Sequence, residues 1–238
     1  MLINYPQRAY ETFKRLSPIS EFNDIYRFLQ NILSKISSPI ERARKTHQYV
    51  DLYTNESLSN PAAKKFITCH KGCSACCHTQ VSVNSDEAAL LANKVIHEGH
   101  EVDLKKLYIQ GNVENSGSGW FELPYEMRGC VFLDEGGGCS IYEDRPSVCR
   151  TNNAFSPPVQ CETKDGIEKP VRLLNTEKAD FAVIAGFRAS GEAGTLPHML
   201  WKALGEQSKP RVVTPSKKVV KKAYLKRIKK DLSKIFEV

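Results

Sequence analysis

The sequence predicts a mainly α-helical fold with a small irregular, β-hairpin-bearing, cysteine-rich region, gathered into a single domain organised by bound metal. Three observations carry that prediction. Apolar residues recur at helical spacing on both sides of the chain's middle. All eight cysteines fall between positions 69 and 161. No alternation of strand and helix patterns runs along the chain, so a parallel sheet is not expected.

Residues 1–66 read as an N-terminal helical region. In SEFNDIYRFLQNILSKI, Ser20 is the expected N-cap, and Phe22, Ile25, Phe28, Leu29, Ile32 and Leu33 follow at helical spacing. Pro39 fits the first turn of a further helix through ERARKTHQYVDLY. Residues 67–165 form the cysteine-bearing, metal-binding region. Within it, NSDEAALLANKVIHEG reads as a helix, with Ser85 as cap, acids in the first turn and Gly99 as stop. CVFLDEGGGCSIY reads as two short strands around a Gly-rich turn. Residues 166–207 return to helix and are expected to pack on the same domain, with TEKADFAVIAGFRA the clearest piece. Residues 208–238 read as a linker, SKPRVVTPSKK, and then a basic amphipathic helix.

A chain of 238 residues, 41% hydrophobic and 26% charged, can bury a sizeable core without disulfides. The N-terminus shows no apolar signal-peptide core, and the most apolar stretch, FAVIAGF, is far short of the ~18 residues of a membrane span. A cytoplasmic, reducing location is therefore the expectation. There, cysteines are more often metal ligands or redox groups than disulfides. The net charge of +7 is uneven, since residues 208–238 carry +9 and the remainder −2.

Cys69, Cys73, Cys76 and Cys77 form C-x3-C-x2-C-C. So short a spacing lets one stretch of backbone aim several sulfurs at one point. Thiolate donors suit zinc or an iron–sulfur cluster, not magnesium or calcium. Cys76 and Cys77 are adjacent, so one of them is expected to serve a second centre or stay free. Cys130, Cys139, Cys149 and Cys161 are too widely spaced for a single chelating turn, and the fold must bring them in. Four plus four is the simplest partition, but the spacing does not say which four share a centre. Lys71, Arg128, Arg145 and Arg150 lie close in sequence to these cysteines and can offset thiolate charge. His70 and His78 flank the first set, whereas His47, His97, His100 and His198 have no ligand context.

C-x3-C-x2-C-C, then C-V-F-L, then GGGCSIYEDRPSVCR, then Cys161 together resemble the YkgJ-type cysteine-cluster family. This is the CxxCxxCC zinc- or iron-chelating domain, to which the bacterial flagellin lysine N-methylase FliB is similar. The resemblance covers residues 69–161, and CSIYEDRPSVCR is its most specific part. The first gap is three residues where the family more often has two, and Val131 stands where proline is usual. The resemblance implies that Cys69, Cys73, Cys76, Cys77, Cys130, Cys139, Cys149 and Cys161 bind metal, as zinc or as an iron–sulfur cluster.

Two functions follow as expectations. The first is a metal-binding protein with a structural, carrier or sensing role. The second is a protein lysine N-methylase using S-adenosylmethionine and an iron–sulfur cluster. Against the second, the C-x3-C-x2-C spacing of radical enzymes here lacks β/α units, and no GxGxxG-like loop follows a strand. In the tail, Val220, Tyr224, Ile228, Leu232 and Ile235 form an apolar stripe among lysines. That stripe either docks on the body or meets an acidic partner, RNA or an anionic membrane surface.

Overall fold

The computed structural model describes residues 6–113, 118–208 and Lys230. The basic amphipathic helix expected from residue 217 onward therefore lies, Lys230 apart, outside the described residues. The described chain is mostly helical. Its helices are α1 (Gln7–Leu16), α2 (Ser20–Leu33), α3 (Pro39–Leu58), α4 (Pro61–Phe66), α5 (Ser85–His97), α6 (Leu104–Gly111), α7 (Ser118–Glu122), α8 (Tyr125–Arg128), α9 (Ser147–Thr151), α10 (Pro158–Cys161), α11 (Glu177–Ser190) and α12 (Leu196–Ser208). Two 3-10 turns, Ala75–His78 and Tyr142–Asp144, interrupt the middle. Strands β1 (Ser82–Asn84) and β2 (Ala193–Thr195) pair antiparallel, with Val83 opposite Gly194. Among the described residues, no helix is long and apolar enough to cross a membrane.

Two apolar clusters hold the chain together. In the first, α11 packs against α1, α2 and α3 and buries Ala182, Val183, Ile184 and Phe187 against Ala9, Leu29, Leu33 and Val50. The second joins α5, α6 and α12 through Leu91, Val95, Leu107, Leu200 and Leu204. Phe132 and Ile141, from the cysteine-bearing middle, are buried in the second cluster. Val148, on α9, packs against the first. The middle of the chain thus sits at the seam between the two.

Several local expectations need correction. Ile19, not Ser20, is the cap residue of α2, and its side chain makes no capping bond. Asn84, not Ser85, caps α5. Its side chain accepts from the Asp86 and Glu87 N–H groups, and the Glu87 carboxylate accepts from Asn84 N–H in return. Ser85 instead bonds Ser190 at 2.7 Å, where the β1–β2 pair meets the end of α11. The helix start at Pro39 stands, with Ser38 accepting from Glu41 N–H. Gly99 ends α5 in a left-handed conformation, φ +80°. The two strands expected in CVFLDEGGGCSIY do not form. A single bridge pairs Leu133 with Cys139, because the Asp134 carboxylate turns the chain early by accepting from Gly138 N–H at 2.7 Å. The β1–β2 pair is too short to leave a periodic signature.

α11 lies so close to α3 that a Cβ on Gly186 would stand 2.5 Å from Thr46 Cγ2. Gly186→Ala is expected to lower stability by about 1–3 kcal/mol in urea unfolding. Adding Thr46→Ser, which removes that methyl, should recover part of the loss.

Candidate metal centre

The first four cysteines are set by local backbone. Thr68 pairs with Ala154 through N–H to carbonyl at 2.9 Å, which brings residues 152–154 beside Cys69. The Ala154 N–H donates to Cys69 Sγ at 3.1 Å. Gly72, at φ +94°, turns the chain so that Cys73 N–H reaches the His70 carbonyl at 3.0 Å. A side chain is disfavoured in that left-handed conformation, so glycine suits the three-residue gap. Cys76 and Cys77 lie on the 3-10 turn Ala75–His78. At about three residues per turn, neighbouring side chains leave it roughly 120° apart.

An aromatic clamp fixes the end of this turn. The His78 ring stacks on Tyr125 at 4.1 Å, and Trp120 Nε1 donates to the His78 carbonyl at 2.9 Å. Buried Arg128 lies over the rings of Phe121 and Tyr125 and donates to the Thr163 hydroxyl and carbonyl. Burial holds the His78 imidazole below its usual pKa. His78 is thus engaged in the clamp. His70 stays exposed, with Nδ1 3.0 Å from the Thr68 carbonyl.

The remaining cysteines arrive from distant sequence. Cys130 N–H donates to the Cys77 carbonyl at 2.8 Å. Cys139 closes the short loop that Cys130 opens, Cys149 rides on α9, and Cys161 ends α10, which packs against the 3-10 turn. Cys69, Cys73, Cys76, Cys77, Cys130, Cys139 and Cys149 line one cavity of about 280 Å³. Cys161 is not among its lining residues. All eight are free thiols and partly buried.

Their electrostatics are those of a crowded thiol cluster. A hydrogen bond from Cys77 holds Cys76 down to about 6, against the opposing effect of burial, and Cys77 is raised because it keeps the shared proton. Burial pushes Cys130 and Cys161 up to about 11 and Cys149 well above its usual value, and neighbouring thiols add to the effect. Burial also raises Cys69 and Cys139. Arg145 opposes the rise at Cys69, Cys139 and Cys149 and helps lower Cys76. Its guanidinium is held 4.2 Å over the Tyr142 ring, which Lys71 also approaches.

A buried polar network positions α9 and therefore Cys149. Glu87 is 1% exposed. Its carboxylate accepts from Ser147 N–H, in the first turn of α9, at 2.7 Å and meets His47 Nε2 at 3.0 Å. Arg150, one residue past Cys149, bonds Asp51 and the Glu143 carbonyl and lies 3.3 Å from His47 Nδ1. Glu87, His47 and Asp51 are supports of the site that sequence reasoning does not find. The N-x-x-E pattern at 84–87 signals a capping box, but nothing in it signals contact with residue 147.

The seven soft donors at this cavity fit a zinc ion or an iron–sulfur cluster in kind, and exceed the four ligands that either one takes. As the side chains stand, no three His, Cys, Asp or Glu among the described residues lie close enough together to hold a metal ion. Metal binding by thiols releases their protons, so the sulfurs would close on a shared centre as thiolates.

Residues 68–173 match the CxxCxxCC family model, whose description reads "Putative zinc- or iron-chelating domain". That span is less than half of the chain and takes in all eight cysteines. No curated protein and no solved structure matches the chain.

Removing the Glu87 carboxylate should be costly. Glu87→Gln is expected to destabilise the protein by about 3 kcal/mol, because it strips a buried, multiply bonded charge from its partners. Burial alone would raise the Glu87 pKa, but the hydrogen bond and charge of His47, with the Ser147 donors, hold it below the usual 4.5. The stability it adds is therefore present above pH 4.5 and is lost as pH falls through the lower folded value. In urea melts, the gap between wild type and Glu87→Gln should close in that acid range. A second expectation concerns Arg145→Gln, which should weaken metal retention against a chelator by about 10–100-fold.

Proposed function

We propose that this chain is a metal-binding protein whose cysteines, as thiolates, hold zinc or an iron–sulfur cluster. One observation carries the reading. Seven cysteines spread from residue 69 to residue 149 converge on one cavity, and Cys161 ends α10, which packs on the 3-10 turn that carries Cys76 and Cys77. Inert buried cysteines have no reason to gather around open space. The match of residues 68–173 to a zinc- or iron-chelating family supports the same conclusion. All eight cysteines, Cys69, Cys73, Cys76, Cys77, Cys130, Cys139, Cys149 and Cys161, are the proposed ligands.

The surroundings suit anionic thiolates. Four of them around one zinc ion are formally −2. Arg145 lines the cavity, Lys71 lies over the ring of Tyr142, which also lines it, and Arg128 is buried nearby with neutral partners at Thr163. Bound metal would supply a rigid crosslink, or an electron carrier in the iron–sulfur case. The protein would orient the thiolates and limit access of water.

The lysine N-methylase alternative has no observation of its own. At about 280 Å³ the cavity falls just below the roughly 300–1,000 Å³ of typical small-molecule sites. A second cleft of about 480 Å³ lies away from the cysteines, lined by Phe22, Glu56, Phe155 and Lys178, but no match ties the chain to a methylase.

Cys73→Ser and Cys149→Ser test the reading. Each should lower metal content per chain by about half or more and lower the melting temperature, since ligand binding contributes to folding energy. Unchanged metal content and unchanged melting in both variants would contradict it.

A further inference from the structure

We infer that Gln80 belongs to the metal site, its side-chain amide donating an N–H to a metal-bound cysteine sulfur and so strengthening the hold on the metal. The inference rests on the metal-binding reading above and adds to it a residue that is neither a cysteine nor a charged group.

The first observation is an unpaired donor. Nε2 of Gln80 is buried and has no hydrogen-bond partner among the described residues. Of the side chains in that condition among the described residues, that of Gln80 alone lines the cysteine cavity. A buried donor left unpaired is costly. One at a cavity wall is satisfied by an acceptor that belongs to whatever fills the cavity.

The second observation is the kind of acceptor on offer. No aspartate or glutamate lines the cavity, so its cysteines are the groups there that can become anionic. A thiolate on a metal keeps lone pairs and negative charge, and a charged acceptor makes the stronger hydrogen bond. The cavity wall already holds one bond of this type, since the Ala154 N–H donates to Cys69 Sγ at 3.1 Å. A glutamine adds another donor without adding charge.

The third observation is that the backbone holds Gln80 in place from both sides. Before it, Thr79 Oγ1 donates to the Cys76 carbonyl at 2.9 Å. After it, the Val81 carbonyl accepts from the Leu196 N–H at 2.7 Å, and β1 begins at Ser82. The side chain therefore leaves a fixed stretch of chain only three residues past Cys77. A donor anchored in this way is suited to orient a ligand sulfur, the role that partners of metal ligands commonly play.

The test uses the full chain, purified anaerobically and loaded with cobalt, as wild type and as Gln80→Leu and Gln80→Glu. Loss of a hydrogen bond to sulfur raises the energy of the sulfur lone pair. The thiolate-to-cobalt absorption band should therefore move to longer wavelength in Gln80→Leu. Cobalt should be lost to a chelator about 10-fold more readily from Gln80→Leu, and more readily still from Gln80→Glu, whose carboxylate opposes the thiolates. A band that stays at the wild-type wavelength in both variants would overturn the inference, because a purely structural role for Gln80 changes stability and not the sulfur-to-metal transition. A second measurement needs no variant. In wild type labelled with nitrogen-15 and loaded with cadmium-113, the Gln80 side-chain amide protons should show scalar coupling to the cadmium through the N–H to sulfur bond. Absence of that coupling would overturn the inference, including where the variants fail to fold. Wild type that takes up neither cobalt nor cadmium would instead defeat the metal-binding reading beneath it.

Discussion

The buried carboxylate of Glu87 is the constraint on which the arrangement of the site depends. It caps its own helix at Asn84, meets His47 on α3 and receives the first N–H of α9 at Ser147. A charge so deep is tolerable only when its oxygens are fully engaged. The same three partners fix three helices relative to one another. The adjacent residue strengthens the joint, since Asp86 takes a two-pronged bond from Arg42 at 2.6 Å. Cys149, on the short α9, inherits its position from this joint and not from any propensity of SVCRT to be helical.

The cysteines occupy the seam between two apolar clusters, and that placement reconciles rigidity with reactivity. The segments between them are irregular, with backbone groups satisfied by turns, by the Thr68–Ala154 pairing and by the clamp on the 3-10 turn. Such a frame brings seven of the cysteines to one cavity. Arg128 and Arg145 are each a cation beside sulfur-bearing backbone, Arg128 bonded to the neutral Thr163 and Arg145 held over an aromatic ring.

Much of this is legible in the sequence. Helical periodicity locates α2, α3, α5 and α11, and Pro39 and Gly99 fall where a start and a stop belong. The density of four cysteines in CHKGCSACC argues for ligands by itself. The expected caps of α2 and α5 are each off by one position. At α5, Asn84 and Ser85 are equally good cap formers, and only the reach of Glu87 decides between them. The Gly-rich loop reads as two strands because Val131, Phe132 and Leu133 favour extended backbone. The short-range bond between Asp134 and Gly138 outweighs that preference. Glu87, His47 and Asp51 escape notice as supports of the site for a different reason. Their partners lie 40 to about 100 positions away, and no local pattern encodes a contact of that range.

The central claim is that the cysteine cluster exists to hold metal. It is tested most directly on the unaltered chain, purified anaerobically and analysed for zinc, iron and inorganic sulfide alongside its visible absorption spectrum. The account predicts stoichiometric metal. That means either zinc in a colourless protein, or iron with sulfide and a broad visible band. Folded, monodisperse protein that contains neither metal, and takes up neither when both are offered under reducing conditions, would contradict it.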